Sequence, residues 1–396
     1  MMRWQPIFYG FIRRLYFSRI TRTGTNHVPK SGPILVLCLH RNGAVDGFVY
    51  GAAVPRLRYL VRAKLSRGFI GKLFFAGVEV NRQSDGGKRG DYEEMIGTCV
   101  KHLQAGELLA IFPEGTSKLG PSHLPFKSGA AHIALSFLKN GEPLTVLPLG
   151  IHYECPFAFR SRVEVVIGEP IQLEPSTQEK SRGVWLQEIK RHFTNALEEV
   201  GFNVPDEKTL HLAQKFAYIA TLGTYHRYFT ALKSMERELP KDAVSAWERL
   251  ETKLNGRRVL RHQGVPLFAT RQPWAYAILA LLLAIPVLAG ALLNFLPLGV
   301  ARWAGRRFPD DTNIIALWQI LSGVPLFILW IAAWIIVPLV AGNVWVMPVY
   351  LTITGVSIQG WYRLKKLTVA AWNGLLHSDC RSDALALQKS ILHKLL

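Results

Sequence analysis

An apolar run, PILVLCL, ends at residue 39, and His40 follows it directly, with Asp46 six positions further on. Imidazole is the side chain best placed to take a proton near neutral pH, its unperturbed pKa being about 6.5. A carboxylate beside it can hold the tautomer and stabilise the imidazolium that forms. The same residues also make an ordinary polar turn after a strand. Spacing alone leaves both readings open.

Three more stretches carry reactive or ligand-binding groups. GVEVNR ends in Arg82, a guanidinium suited to a phosphate or simply exposed at a strand end. FPEGTSK, residues 112–118, offers the Glu114 carboxylate, the Thr116 hydroxyl and Gly115, where backbone can approach a ligand closely. Lys127 stands just before an expected helix start, where backbone N–H groups favour anions. Pro148, inside TVLPLGI, cannot donate to a ladder, so an edge strand or a bulge is expected there. The chain has no G-x-S-x-G elbow, P-loop or G-x-G-x-x-G fingerprint, which argues against a serine nucleophile and against nucleotide binding.

These residues need elements to position them. Strands are expected over 31–37, around LRYLVRAKL, and over 74–80, 107–112, LTVLPLGIHY and RVEVVIGEPI. Helices are expected after residue 47 and over 91–105, 128–139 and 185–200. The alternation indicates an α/β domain with a mostly parallel central sheet. A helical region over 206–262 follows, and then an all-α apolar segment. Residues 2–20 place apolar side chains at helical spacing beside Arg13, Arg14 and Arg19. They read as an amphipathic helix on a membrane surface or on the domain itself.

The net charge of +19 favours anionic partners, and no nucleic-acid-binding pattern accompanies it, so membrane lipid is the expected one. Cys38, Cys99, Cys155 and Cys380 form no metal-ligand spacing and read as reduced packing residues in an intracellular compartment. The apolar tail has segments at 274–301, 314–342 and 344–361. Arg271 precedes the first, Arg302, Arg306 and Arg307 follow it, and Arg363, Lys365 and Lys366 follow the third. The positive-inside rule puts both ends of 274–301 on the cytoplasmic side. That favours a re-entrant hairpin broken at Pro286, Gly290 and Pro297, with a simple span as the alternative. The expected divisions are a surface helix over 1–22, the α/β domain over 23–200, a helical connection over 201–272, a membrane region over 273–362 and a cytoplasmic amphipathic tail over 363–396.

HRNGAVD, GVEVNR, FPEGTSK and VLPLGI occur in an order that resembles the glycerophospholipid acyltransferase superfamily, over roughly residues 24–200. The resemblance implies His40 as the base, Asp46 as its orienting partner and Arg82 as a phosphate contact. It implies Glu114, Gly115 and Thr116 at the acyl acceptor and Pro148 near the acyl donor. Lys127, Arg160 and Arg162 are basic residues beside these blocks that could hold phosphate. The donor would be acyl-CoA or acyl carrier protein, used as a substrate, with no cofactor and no metal. The family's common pattern has four residues between His and Asp; here there are five. The longer spacing resembles a branch acting on glycerol-3-phosphate and dihydroxyacetone phosphate. That implies a first acylation in phospholipid biosynthesis by an integral membrane enzyme facing the cytoplasm. A lysophospholipid acceptor and a non-catalytic lipid-binding protein remain as alternatives.

Overall fold

The computed structural model describes residues 5–63, 68–75, 77–80, 89–175 and 181–395. Its centre is β2 (Ile34–Cys38), every residue of which is buried. A strand covered on both faces reads as an unbroken apolar run, and ILVLC is one. The chain reaches it through α1 (Gln5–Tyr16) and β1 (Arg19–Thr23), then continues as α2 (Val45–Ala53), β3 (Arg58–Arg62), α3 (Gly68–Phe74), β4 (Val78–Val80), α4 (Arg89–Gln104) and β5 (Leu108–Ile111). Next come α5 (Gly129–Leu138), β6 (Leu144–Tyr153), β7 (Arg162–Ile167), β8 (Ile171–Leu173) and α6 (Arg182–Val200). The strands form one sheet in the order β1-β7-β6-β2-β5-β3-β4, with β8 also on β6. Parallel pairing joins β2 to β5 and β6, and β3 to β4 and β5.

Two compact units are present. The first comprises residues 1–14, 20–152 and 163–203 and holds nearly all of the sheet. Two local expectations change here, and for α1 the packing on the domain itself is found. The chain leaves α1 at Tyr16 and residues 19–23 join the sheet, so the helix does not extend to residue 20. One face of α1 packs on the domain through Ile12 and through the Tyr9 hydroxyl, which donates to the Phe74 carbonyl at 3.2 Å. A short helix, α3, precedes β4 where the sequence reads as strand from residue 74.

Pro148 occupies an interior strand, so the expected sheet edge is wrong. β6 lies between β7 and β2, and Pro148 is in register with Leu37. Its carbonyl accepts from Gly168 N at 2.9 Å, just past the end of β7, and β8 resumes on β6 at the Val146–Ile171 pair. A strand residue's N–H and C=O point to the same side, so the missing donor faces the break between β7 and β8.

The second unit comprises residues 15–19, 153–162 and 204–396. It contains α7 (Glu207–Ala220), α8 (Tyr228–Ser234), α9 (Lys241–Leu254), α10 (Pro273–Leu293), α11 (Phe295–Arg307), α12 (Ile315–Val340), α13 (Val346–Leu376) and α14 (Arg381–His393). Among the described residues, two stretches, Pro273–Leu293 and Thr312–Val340, are long and apolar enough to cross a membrane, and the expected third segment, 344–361, is not one of them. The apolar stretch 274–301 is interrupted at Asn294, not at Pro286, Gly290 or Pro297. The Asn294 amide donates to the Gly290 carbonyl at 2.8 Å and to Thr354 Oγ1 at 3.0 Å, and it accepts from the Tyr350 hydroxyl at 2.7 Å. Polar groups freed by a helix break in an apolar layer need such partners. Close packing joins α10 to α13, where a Cβ at Gly360 would meet Val287 at 2.6 Å. α13 runs on through Arg363, Lys365 and Lys366 without a break at residue 362.

Candidate active site

Register brings the site together. Leu37 pairs with Ile111 across the parallel β2–β5 ladder, so the segments leaving the two strands run side by side. His40 leaves β2, and Phe112 to Glu114 leave β5. Carboxyl ends of adjacent parallel strands are where open α/β sheets bind ligands.

Nδ1 of His40 lies 3.0 Å from Oδ2 of Asp46. That oxygen also accepts from the backbone N–H of Arg41 at 2.6 Å and of Asn42 at 2.8 Å. Asp46 is fully buried in the first turn of α2. The five intervening residues close the contact through a tight turn. Successive i→i+3 bonds of 3.2 Å join Val45, Asp46 and Gly47 back to Asn42, Gly43 and Ala44, with Gly43 at φ +54°. These bonds wind the turn into the start of α2 and so bring Asp46 back to His40. With Nδ1 held by the carboxylate, Nε2 is the nitrogen left to take a proton. It has no hydrogen-bond partner among the described residues.

Glu114 is nearly inaccessible. Its two oxygens accept from His40 N at 2.7 Å and Leu124 N at 3.1 Å. Burial holds its carboxyl above the usual carboxylate range, against the pull of those N–H groups and of Arg41. Glu114 therefore fixes the backbone of His40. The Arg41 guanidinium donates to the carbonyls of Gly120 at 2.5 Å and Ser122 at 3.4 Å, tying down the loop after FPEGTSK. Burial draws its pKa below the ordinary value, while Glu114 and Asp46 act the other way.

Gly115 has φ +76°, and Lys127 Nζ stands 2.7 Å from where a Cβ would be. The side chain of Lys127 crosses the glycine, with its backbone N–H on the Pro113 carbonyl at 2.9 Å. Thr116 is exposed beside it. His40, Asp46, Glu114, Gly115, Thr116 and Lys127 thus lie in one neighbourhood. Pro148 is buried in β6. Arg82 falls outside the described residues. Arg160 and Arg162 belong to the second unit and are engaged there. Arg160 Nη1 donates to the carbonyls of Leu15 at 3.2 Å and Phe17 at 2.7 Å, and Arg162 lies 4.3 Å above the Tyr362 ring.

Two residues escaped the sequence reading. Phe112 stacks on the His40 ring with centroids 4.1 Å apart and is itself parallel to Tyr59. The Tyr50 hydroxyl reaches the carbonyls of Leu39 at 2.8 Å and Leu149 at 3.2 Å, joining the segment just past β2 to the middle of β6. The adjacency of Phe112 to Glu114 in FPEGTSK was the one available signal. Among the described residues, no group of His, Cys, Asp or Glu converges in the way a metal ion needs.

Residues 19–152 match the family described as Acyltransferase. Glycerol-3-phosphate O-acyltransferase 2 of Saccharomyces cerevisiae is 34% identical over 129 residues, 31% of this chain and 17% of that protein. Glycerol-3-phosphate O-acyltransferase 1 of the same yeast is 30% identical over 122 residues, 29% of this chain and 16% of that protein. The chain therefore spans only about a sixth of the length of these curated relatives. The crystal structure of the 1-acyl-sn-glycerophosphate acyltransferase PlsC from Thermotoga maritima is 20% identical, covering 50% of this chain and 83% of that one. The TM-score of this match is 0.35. Residues 19–152 thus form the part of the chain that matches the Acyltransferase family, and it is over this part that the chain is similar to the yeast glycerol-3-phosphate O-acyltransferases.

Proposed function

We propose that this protein moves a fatty acyl group from a thioester to a hydroxyl of glycerol-3-phosphate or dihydroxyacetone phosphate. The observation that carries this reading is the His40–Asp46 pair with Nε2 left open. Nε2 takes the hydroxyl proton as the oxygen attacks the thioester carbonyl. A C–O bond forms, the C–S bond breaks, and the thiolate leaves to be protonated. Asp46 holds the imidazolium meanwhile. No covalent acyl-enzyme is required. Lys127, set over Gly115, supplies a cation for the phosphate of the acceptor, and Arg82 is assigned the same role. The names of the yeast relatives support a glycerol-phosphate acceptor. Acyl-CoA or acyl carrier protein serves as the donor.

The same proposal seats the apolar helices in a membrane. Arg302, Arg306 and Arg307 after the first apolar segment support a cytoplasmic site. Purified protein in detergent, given labelled acyl-CoA or acyl carrier protein and a panel of acceptors, tests the reading. Transfer to glycerol-3-phosphate or dihydroxyacetone phosphate is expected. Transfer confined to lysophosphatidate would replace the acceptor, and no transfer from either donor would leave only lipid binding. Lys127→Ala is expected to raise KM for the phosphorylated acceptor, and an unchanged KM would remove it from the phosphate site.

A further inference from the structure

A cavity of about 420 Å³ lies wholly within the second unit. Residues 158–161, the turn 261–263 and α13 enclose it. Its walls carry three cations, Arg160, Arg261 and Lys365, and no carboxylate. Two of the three are engaged. Arg160 holds the Leu15 and Phe17 carbonyls, and Arg261 grips Glu251 through two bonds of 2.6 and 2.7 Å. Lys365 has no carboxylate partner among the described residues. The charged side chain acting on it is another cation, Arg302.

The remaining donors sit on the same stripe of α13. Trp361, Lys365 and Thr368 recur at i, i+4 and i+7 and so face one way. The Trp361 indole N–H is buried without an acceptor, and the Lys365 ammonium lies 5.2 Å from that ring's centre. Phe159, Leu364 and Val369 supply apolar wall. The buried Trp361 N–H is the group with an unmet need, and an anion that accepts from it would also face the exposed Lys365 ammonium, which has no carboxylate of its own among the described residues. The volume suits a small ligand or the head of a larger one. Lys365 also stands four residues past the apolar stretch that ends at residue 361. Tryptophan and lysine gather at that level of a membrane, beside the headgroups.

We propose that this cavity binds the phosphate headgroup of an anionic phospholipid, with its first acyl carbons against Phe159, Leu364 and Val369. The choice of a lipid over free phosphate rests on the packing of α13 against α10, which is long and apolar enough to cross a membrane. It does not rest on the acyl transfer proposed above.

The test is binding to the full-length protein in neutral detergent, read by native mass spectrometry. The probes are phosphatidylglycerol, phosphatidylcholine and inorganic phosphate. Phosphatidylglycerol is expected to saturate a site at least tenfold more tightly than phosphatidylcholine. Lys365→Glu is expected to weaken it at least tenfold with an unchanged circular dichroism spectrum, and Trp361→Phe severalfold. Should Lys365→Glu fail to fold, Lys365→Gln and Thr368→Val carry the same expectation at smaller size. Equal affinity for the two lipids, a folded Lys365 variant that binds like wild type, or inorganic phosphate binding as tightly as the lipid would each overturn the proposal. Because no step is read as acyl transfer, an inactive protein that still binds the lipid would separate the two readings.

Discussion

His40 and His262 are both half-enclosed or buried imidazoles, and each is hydrogen-bonded at Nδ1. His40 meets a buried carboxylate at 3.0 Å. His262 meets the Tyr218 hydroxyl at 2.7 Å and is surrounded by cations. Burial first, then Lys366, Lys365 and Arg162, push its pKa down to about 3. The two sites differ less in enclosure than in the charge facing the ring. An anion at Nδ1 prepares an imidazole to accept a proton at its other nitrogen, whereas a phenol and three cations keep it neutral. Glu154, buried in the same cluster, accepts from the Tyr362 hydroxyl at 2.8 Å and the Gln263 amide at 3.5 Å, and burial raises its pKa while Arg162 acts the other way.

The sharpest way to break this contrast is Asp46→Asn. The amide can still accept from the turn N–H groups but cannot stabilise an imidazolium. Turnover is expected to fall about 10²–10⁴-fold with KM little changed. Wild-type turnover by the folded variant would place His40 in the same inert class as His262.

The next effect is on stability against pH. His262 is depressed in the folded state, so between its ordinary pKa near 6.5 and about 3 the unfolded chain binds the extra proton. Stability from this residue is complete above pH 6.5 and is lost as pH falls, by up to about 1.4 kcal/mol per pH unit. Glu154, raised by burial, pulls the other way. The readout is therefore the difference in thermal unfolding between wild type and His262→Asn from pH 7 to 4. The variant is expected to show the shallower acid loss, and equal slopes would contradict a suppressed His262.

Glu114→Gln removes one of two buried acceptors. It is expected to cost about 1–3 kcal/mol in denaturant unfolding, because His40 N or Leu124 N loses its partner. The smallest effect belongs to Phe112→Leu. Loss of the stacked ring is worth about 0.5–1.5 kcal/mol, so turnover is expected to drop roughly 2- to 12-fold while the Asp46 contact keeps the base working.

Much of this was legible in the sequence, for identifiable reasons. β2 and β5 announce themselves because strands buried in a parallel sheet are unbroken apolar runs. His40, Asp46, Glu114 and Gly115 were found because their chemistry is concentrated in short blocks. The role of Phe112 depends on the β2–β5 register, which no local pattern numbers. Pro148 misled because its lost donor matters only if a neighbour needs it, and the break between β7 and β8 removes the need. Asn294 was passed over in favour of Pro286, since a helix absorbs an internal proline when neighbours satisfy the backbone. His262 lacks any motif. Its neighbours come from residues 154, 162, 218 and 365–366, joined only by the fold.

α13 has 31 unbroken residues and so is about 46 Å long. A bilayer's hydrocarbon core is about 30 Å thick. With the helices seated in a membrane as proposed above, a rigid rod of that length would work as a depth gauge. It sets how far Lys365 and Lys366 stand above the acyl chains, and a thicker or thinner bilayer would tilt the rod before it could bend it.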